Sequence, residues 1–237
     1  MAVGYNPSIV SDGLVMYLDA ANTRSYSGSG NTWYDLSTNS NHAQKINSPN
    51  YITTSGGGFT FDGNGTNYFD LDSKSSLVNG NAGTVGGWVR FDSAPSNTNY
   101  VFVSYGGNAY GGGFLLIYTG LDGANRGLTF QAWGGSISPD VDSGISFAES
   151  SIYAGQDIHM IATWTTSEVK LYLNGQLKAT VANNAAIPSR STLRISSEGG
   201  RSRGVNGTVY NTSIYNRALT QQEILQNFNA TRFRYGI

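Results

Sequence analysis

The chain has 237 residues, a formal net charge of -1 and only 12% charged residues. It contains no cysteine, which excludes disulfides, thiol catalysis and cysteine-ligated metals. The near-neutral balance, with no long basic run, argues against nucleic acid and an anionic membrane surface as partners.

The length suits one β domain spanning residues 1–237. With 31 glycines and 15 tyrosines, the composition reads as many short strands joined by tight turns around an aromatic core. Met1 to Pro7 has neither a basic region nor an apolar one, so no signal peptide is expected. No stretch reaches the roughly 18 apolar residues of a membrane helix. A protein made and folded in a cytoplasm is the expectation.

In chain order, Gly13 to Ala20 alternates with Leu14, Met16 and Leu18 on one face. Gly58 to Phe61 and Tyr68 to Leu71 flank the turn Asp62-Gly63, and Thr84 to Phe91 alternates around Trp88. Tyr100 to Tyr105, Phe114 to Tyr118 and Leu128 to Trp133 follow, each bounded by glycines. Gly106 to Gly113 and Ser136 to Ser151 read as long loops. His159 to Trp164 is a short apolar run. Val169 to Leu173 and Gln176 to Val181 flank Asn174-Gly175, a pair that takes the positive φ angles of a type I′ hairpin. Leu193 to Ser196 and Thr208 to Tyr215 complete the strands. Thr220-Gln221-Gln222-Glu223 fits a capping box, and Ile224, Leu225 and Phe228 then give an apolar stripe at helical spacing. This helix should end near Asn229 and cap one end of a sandwich.

Three segments carry a family likeness. The first is Asp12 to Ala20 with Ser25-Tyr26 and Thr32 to Ser37. The second is His159 to Trp164 with Lys170 to Gly175. The third is Ile214 to Thr220 with Glu223-Ile224, Asn227 to Ala230 and Arg234 to Ile237. The second and third resemble the laminin-G-like, concanavalin A-like lectin/glucanase superfamily. The complete pattern, including the Arg234-Tyr235-Gly236 ending, is similar to virion proteins of tailed bacteriophages, cyanophages among them. The resemblance implies an all-β fold: an antiparallel two-sheet jelly-roll sandwich with one short C-terminal helix. It implies a virion structural protein, a capsid decoration or small tail or baseplate component. Such a protein would act through contacts with other virion proteins and as a homo-oligomer, in a virion assembled in the host cytoplasm. The alternative is a lectin-like adhesin that recognises host surface polysaccharide.

Some relatives on this fold hydrolyse β-glucans with a strand bearing Glu-x-Asp-x-x-Glu, where two facing carboxyls do the work. The glutamates here are Glu149, Glu168, Glu198 and Glu223, and none sits in that pattern. The two histidines are His42, in a loop, and His159, beginning a core strand. No enzyme is therefore expected. Asp35, Ser37, Asn39 and Asn41 place oxygen-bearing side chains at alternate positions, a set that suits Ca²⁺. The competing reading is a polar turn closed on backbone amides. Asp140-Val141-Asp142 is a weaker candidate of the same kind. For a glycan, Tyr105, Asn108, Tyr110 and Trp133 lie among glycines, where an aromatic ring can meet the apolar face of a sugar. Trp88 and Trp164 stand inside apolar runs and belong to the core.

Overall fold

Alternation of inward apolar and outward polar side chains gives each strand a buried face, and pairing those faces yields two packed layers. The computed structural model describes residues 8–107, 112–120, 127–133, 140–142, 153–183 and 185–237. Their strands are, in order, β1 (Leu14–Asp19), β2 (Thr32–Trp33), β3 (Ala43–Ile46), β4 (Asn50–Ile52), β5 (Gly58–Asp62) and β6 (Tyr68–Asp70). Then come β7 (Ala82–Phe91), β8 (Asn99–Gly107), β9 (Gly112–Thr119), β10 (Gly127–Trp133), β11 (Asp140–Asp142) and β12 (Asp157–Thr165). The last are β13 (Glu168–Leu173), β14 (Gln176–Ala182), β15 (Leu193–Ile195), β16 (Asn206–Val209) and β17 (Asn211–Tyr215), followed by helix α1 (Gln221–Thr231).

Nine strands form the first sheet, ordered β14-β13-β12-β7-β16-β5-β4, with β17 also on β7 and β1 on β17. Eight form the second, ordered β11-β10-β9-β8-β15-β6-β3-β2. Every pair is antiparallel. The expected jelly-roll sandwich with one short C-terminal helix is thus the observed architecture. One apolar cluster fills the space between the sheets, drawing on Met16, Phe59, Phe69, Phe114, Phe130, Trp164 and Ile214. Most of its ring pairs meet edge-on or tilted, as between Phe59 and Phe69 at 4.7 Å, while Phe130 and Trp164 stack at 6.2 Å.

β7 organises the first sheet. One side pairs with β12 along nine residues, from Ala82 opposite Thr165 to Arg90 opposite Asp157. Its other side is shared: Val89 to Phe91 take β16, and Thr84 to Gly86 take β17. Gly87 is required at that branch, because a Cβ there would stand 2.2 Å from the Asn211 carbonyl oxygen. The sequence reads Thr208 to Tyr215 as a single strand, and the structure divides it at Tyr210, whose N–H still donates to the Trp88 carbonyl at 3.0 Å.

Another departure arises because strands neighbouring in sequence can lie in different sheets. Gly58–Phe61 and Tyr68–Leu71 look like two arms of one hairpin, yet β5 lies in the first sheet and β6 in the second. The strands β2, β3 and β4 are too short and polar to announce themselves by alternation. Asp140–Asp142 falls in a stretch read as loop and pairs with Thr129 to Gln131 as β11. The loop read over Gly106 to Gly113 is shorter than expected, since Gly106 pairs with Gly113 and Gly107 with Gly112. The Asn174-Gly175 hairpin is as expected, with φ of 51° and 77°.

Helix α1 starts at the capping box read from the sequence. The Thr220 hydroxyl accepts from the Glu223 N–H at 3.3 Å, and the Glu223 carboxylate accepts from the Thr220 N–H at 2.8 Å. It ends at Thr231, and a 3-10 turn, Arg232–Tyr235, follows. The helix does not cap an end of the sandwich. It lies over the outer face of the first sheet, because β7 and β12 present Trp88 and His159 there. Trp88 stacks on Phe228 at 5.6 Å and on Tyr235 at 3.9 Å, and its indole N–H donates to the Thr231 hydroxyl at 2.7 Å. Trp88 is therefore buried, as expected, but beneath the helix instead of between the sheets.

Candidate functional site: a hydroxyl-lined cleft at one rim

The strand ends of the second sheet make a rim near the β8–β9 hairpin. Pairing sets Leu193 opposite Tyr105 and Trp133 opposite Gly113, so the start of β15 and the end of β10 flank the hairpin. The chain reaches β15 through Ser189-Arg190-Ser191-Thr192, a polar run too hydrophilic to enter the core. Two anchors fix this run. The Arg190 N–H donates to the Tyr105 hydroxyl at 2.7 Å, and the Leu193 N–H donates to the Asp72 carboxylate at 2.9 Å. Asp72 opens the 3-10 turn Asp72–Leu77 and also holds Arg194, whose guanidinium donates at 2.7 Å and 3.2 Å. Arg194 in turn lies 4.8 Å over the Tyr68 ring.

Between that turn and that run is an open cleft of about 500 Å³, lined by Ser75, Ser189, Arg190, Ser191 and Thr192. A volume of this order is typical of small-molecule sites. The Thr192 Oγ1 is buried and has no partner among the described residues. The cleft can hydrogen-bond a hydroxylated ligand through the hydroxyls of Ser75, Ser189, Ser191 and Thr192. No single motif betrays it in the sequence, because its walls come from segments more than a hundred residues apart.

Tyr105 was expected as an exposed ring for a sugar, and the structure corrects this. Its ring faces inward beside Phe114, at 5.5 Å, and is 2% exposed, since alternation along β8 points Val103 and Tyr105 into the core. Only its hydroxyl reaches the rim. Asn108 and Tyr110 lie outside the described residues, and Trp133 is the last residue of β10.

Asp35, Ser37, Asn39 and Asn41 do come together, with the carboxylate at the centre. Asp35 accepts from the N–H groups of Tyr17, Ser37 and Asn41 at 2.8, 2.9 and 2.9 Å, and from the Ser37 hydroxyl at 2.6 Å. The Asn39 and Asn41 amides donate to the carbonyls of Leu14 and Val15. A carboxylate offers about four acceptor positions, and chain donors take four here. This geometry is that of the polar turn, and it pins the first loop to β1. His42 joins it, its Nδ1 accepting the Asp35 N–H at 3.0 Å.

Among the described residues, His159 is buried and Glu168, Glu198 and Glu223 each lie against a cation. His159 is 4% exposed, packs on Trp88 and Phe228, and is pushed down to about 3 by burial. Its backbone N–H donates to the Asn174 side chain at 2.9 Å, and its Nδ1 lacks a partner among the described residues. It lines a second cavity of only about 10 Å³, with Asn211 and Asn227, which has room for about one water. Glu223 is held down at about 2 by Arg217, which donates two hydrogen bonds at 2.9 and 2.6 Å. Glu168 pairs with Lys170, and the fully buried Glu198 lies between Arg201 and Arg203. Glu149 is outside the described residues.

The family profile described as the concanavalin A-like lectin/glucanases superfamily matches residues 62–225. Among solved structures, domain 4 of an extracellular GH43 arabinanase from Geobacillus stearothermophilus, in complex with arabinotriose, aligns with a TM-score of 0.70 at 18% identity. That alignment covers 92% of this chain and 99% of the arabinanase domain. A botulinum neurotoxin type C structure, whose cell entry is described as dependent on two ganglioside molecules, aligns at 0.66 and 13% identity, covering 94% of this chain and 52% of that one. A Trypanosoma rangeli sialidase mutant aligns at 0.66 and 18% identity, covering 96% of this chain and 34% of the sialidase. This chain thus spans about half of the toxin chain and a third of the sialidase chain. At these identities the likeness is one of fold. No curated protein sequence matches this one.

Proposed function

The chain belongs to the concanavalin A-like lectin/glucanase superfamily, and from that premise we propose that it is a non-catalytic module that binds carbohydrate in the rim cleft. The observation that carries this reading is the cleft itself: about 500 Å³ of open space walled by hydroxyl groups on a run that Tyr105 and Asp72 hold rigid. Preformed hydrogen-bonding groups cost little ordering when a polyhydroxylated ligand docks. Support comes from the arabinanase domain solved with arabinotriose and from the ganglioside-dependent toxin, which share the fold. The non-catalytic half is supported by the fate of the acids, because Glu168, Glu198 and Glu223 each sit against a cation. Ser191 is exposed in the cleft wall, so Ser191→Trp should fill the cleft without disturbing the core. A glycan array with the original chain and Ser191→Trp tests the reading. Binding that the substitution abolishes is expected, and binding unaffected by it would move the site elsewhere.

A second reading adds a setting: a surface component of a tailed-phage virion, in contact with other virion proteins or with copies of itself. It is favoured by the two segments that resemble such proteins, Asp12 to Ala20 and Arg234 to Ile237, which the fold joins into one unit. Arg234 donates to both carboxylate oxygens of Asp19 at 2.8 and 2.7 Å, and Tyr235 covers Trp88. Purified virions probed with an antibody to the chain test it, and absence of the protein from the particles would overturn it. A virion lectin would satisfy both readings.

A further inference from the structure

The outer side of the β2–β3 edge carries an exposed ring among polar side chains, on residues separate from those of the rim cleft. β2 and β3 pair at the edge of the second sheet, Thr32 opposite Gln44 and Trp33 opposite Ala43. Trp33 and Ala43 are wholly buried, so alternation turns Thr32 and Gln44 outward. One residue beyond that pairing, Tyr34 and His42 meet on the same outer side, their rings edge to face at 5.1 Å. Tyr34 is 49% exposed. β6 continues the row toward the middle of the sheet, with Asp70 opposite Gln44.

A lone exposed ring is ordinary, but this one is held in place. The Tyr34 N–H donates to the Ser25 carbonyl at 2.8 Å, and the Tyr34 carbonyl accepts from the Ser25 hydroxyl at 2.5 Å. Beside it, the Asp35 N–H donates to His42 Nδ1 at 3.0 Å, which puts the proton of the neutral imidazole on Nε2 as a donor. A ring fixed in advance loses little freedom when a ligand stacks on it. The groups next to it are of both kinds. The Thr32 hydroxyl donates to Gln44 Oε1 at 3.3 Å, and the Gln44 amide nitrogen is a donor. Asp70 accepts the Asp72 N–H through Oδ1, and its Oδ2 is a further acceptor. Two residues along a strand span about 7 Å and adjacent strands lie about 5 Å apart, so ring and polar groups fall within reach of one or two sugar units. Arg194, opposite Asp70 on β15, is paired with Asp72, so the charge left on the row is that of Asp70. That charge disfavours an acidic ligand. We propose that this face is a second platform, independent of the rim cleft, for a neutral saccharide. The apolar face of a sugar ring stacks on Tyr34, and its hydroxyls meet His42, Gln44 and Asp70.

One stacked ring on an open face gives weak, millimolar binding, which the washes of a glycan array remove and saturation-transfer NMR detects. The test is therefore such a titration on the full chain carrying Ser191→Trp, so that the rim cleft is filled. The probes are cellohexaose, mannohexaose and arabinohexaose, with hexagalacturonate as the acidic arm. The expected result is that at least one neutral hexasaccharide binds and hexagalacturonate binds less. Adding Tyr34→Ala should weaken that binding about tenfold, while Tyr34→Phe keeps it, because stacking needs the ring and not its hydroxyl. Tyr34 is exposed, so an unchanged melting temperature checks that the edge stands. If the original chain binds a hexasaccharide and Ser191→Trp alone removes it, the platform is overturned and the cleft reading survives. Binding that persists through both Ser191→Trp and Tyr34→Ala overturns both sites. Should Tyr34→Phe lose as much as Tyr34→Ala, no ring is stacked and the platform falls. Should hexagalacturonate bind as tightly as the neutral probes, the neutral preference is overturned. If none of the probes binds the Ser191→Trp chain, the platform is overturned, whatever the array shows for the cleft.

Discussion

At the residue scale, His159 shows how an apolar neighbourhood turns one imidazole into a pH liability. Burial between Trp88 and Phe228 disfavours its charged form and lowers its pKa from 6.5 to about 3. The unfolded chain binds a proton there below about pH 6.5 and the folded chain does not. Stability contributed by neutral His159 is therefore complete above pH 6.5 and is lost as the pH falls toward 3, by up to about 1.4 kcal/mol per unit. Glu223 adds a second acid limb, but only as the pH falls from its ordinary 4.5 toward 2. The two are separable. His159→Phe should flatten the loss of the urea midpoint between pH 6.5 and 5 and leave the lower limb in place. An unchanged slope in that upper window would show that His159 stays solvated. That a histidine lies on this strand was legible from the sequence, although the strand begins two residues earlier, at Asp157. That Phe228, some seventy residues later, seals it was not, because burial depends on which face the helix covers.

At the element scale, helix α1 combines a strong local start with a tertiary dependence. The capping box at Thr220 and Glu223 is reinforced by Arg217, so its N-terminus is defined by local sequence alone. Thr220→Ala removes the side-chain cap and should cost about 1 kcal/mol, read as a shift of the urea midpoint at constant slope. A change in slope would instead mean that the helix detaches before the sandwich unfolds. The helix end was not legible: the stripe fades at Asn229, yet Thr231 continues it because its hydroxyl bonds the Asn227 carbonyl and the Trp88 indole. The Asn174-Gly175 hairpin is the opposite case, since both positive φ angles follow from the dipeptide itself. The Asp35 turn lies between these extremes. The oxygen-bearing spacing was visible, and whether those oxygens face an ion or the chain was decided by the backbone of Tyr17 on β1.

At the scale of the whole molecule, the first strand and the C-terminal turn close on one another and help hold one shared core. Asp19 on β1 and Arg234 near the C-terminus form an ion pair whose acid is 3% exposed, and Tyr235 covers Trp88. Removing residues 232–237 should take away the cation that balances this carboxylate, uncover the Trp88 face to dye binding and lower the melting temperature. A truncated chain that unfolds at the same temperature and binds no dye would show the clasp to be incidental. Because the core runs from Met16 to Ile214 through both sheets, calorimetry should find one transition with equal calorimetric and van't Hoff enthalpies. By itself the sequence determined the strand-rich class, the hairpin and the helix start, since each rests on local spacing, turn chemistry or side-chain alternation, and its family-like segments pointed to the superfamily by resemblance. Which sheet each strand joined, where the helix lay and where the cleft opened were decided only by tertiary structure. Those features depend on contacts between distant residues: β5 and β6 part into different sheets, Tyr105 turns inward, and Ser75 faces Ser189 to Thr192 only once the sandwich has closed.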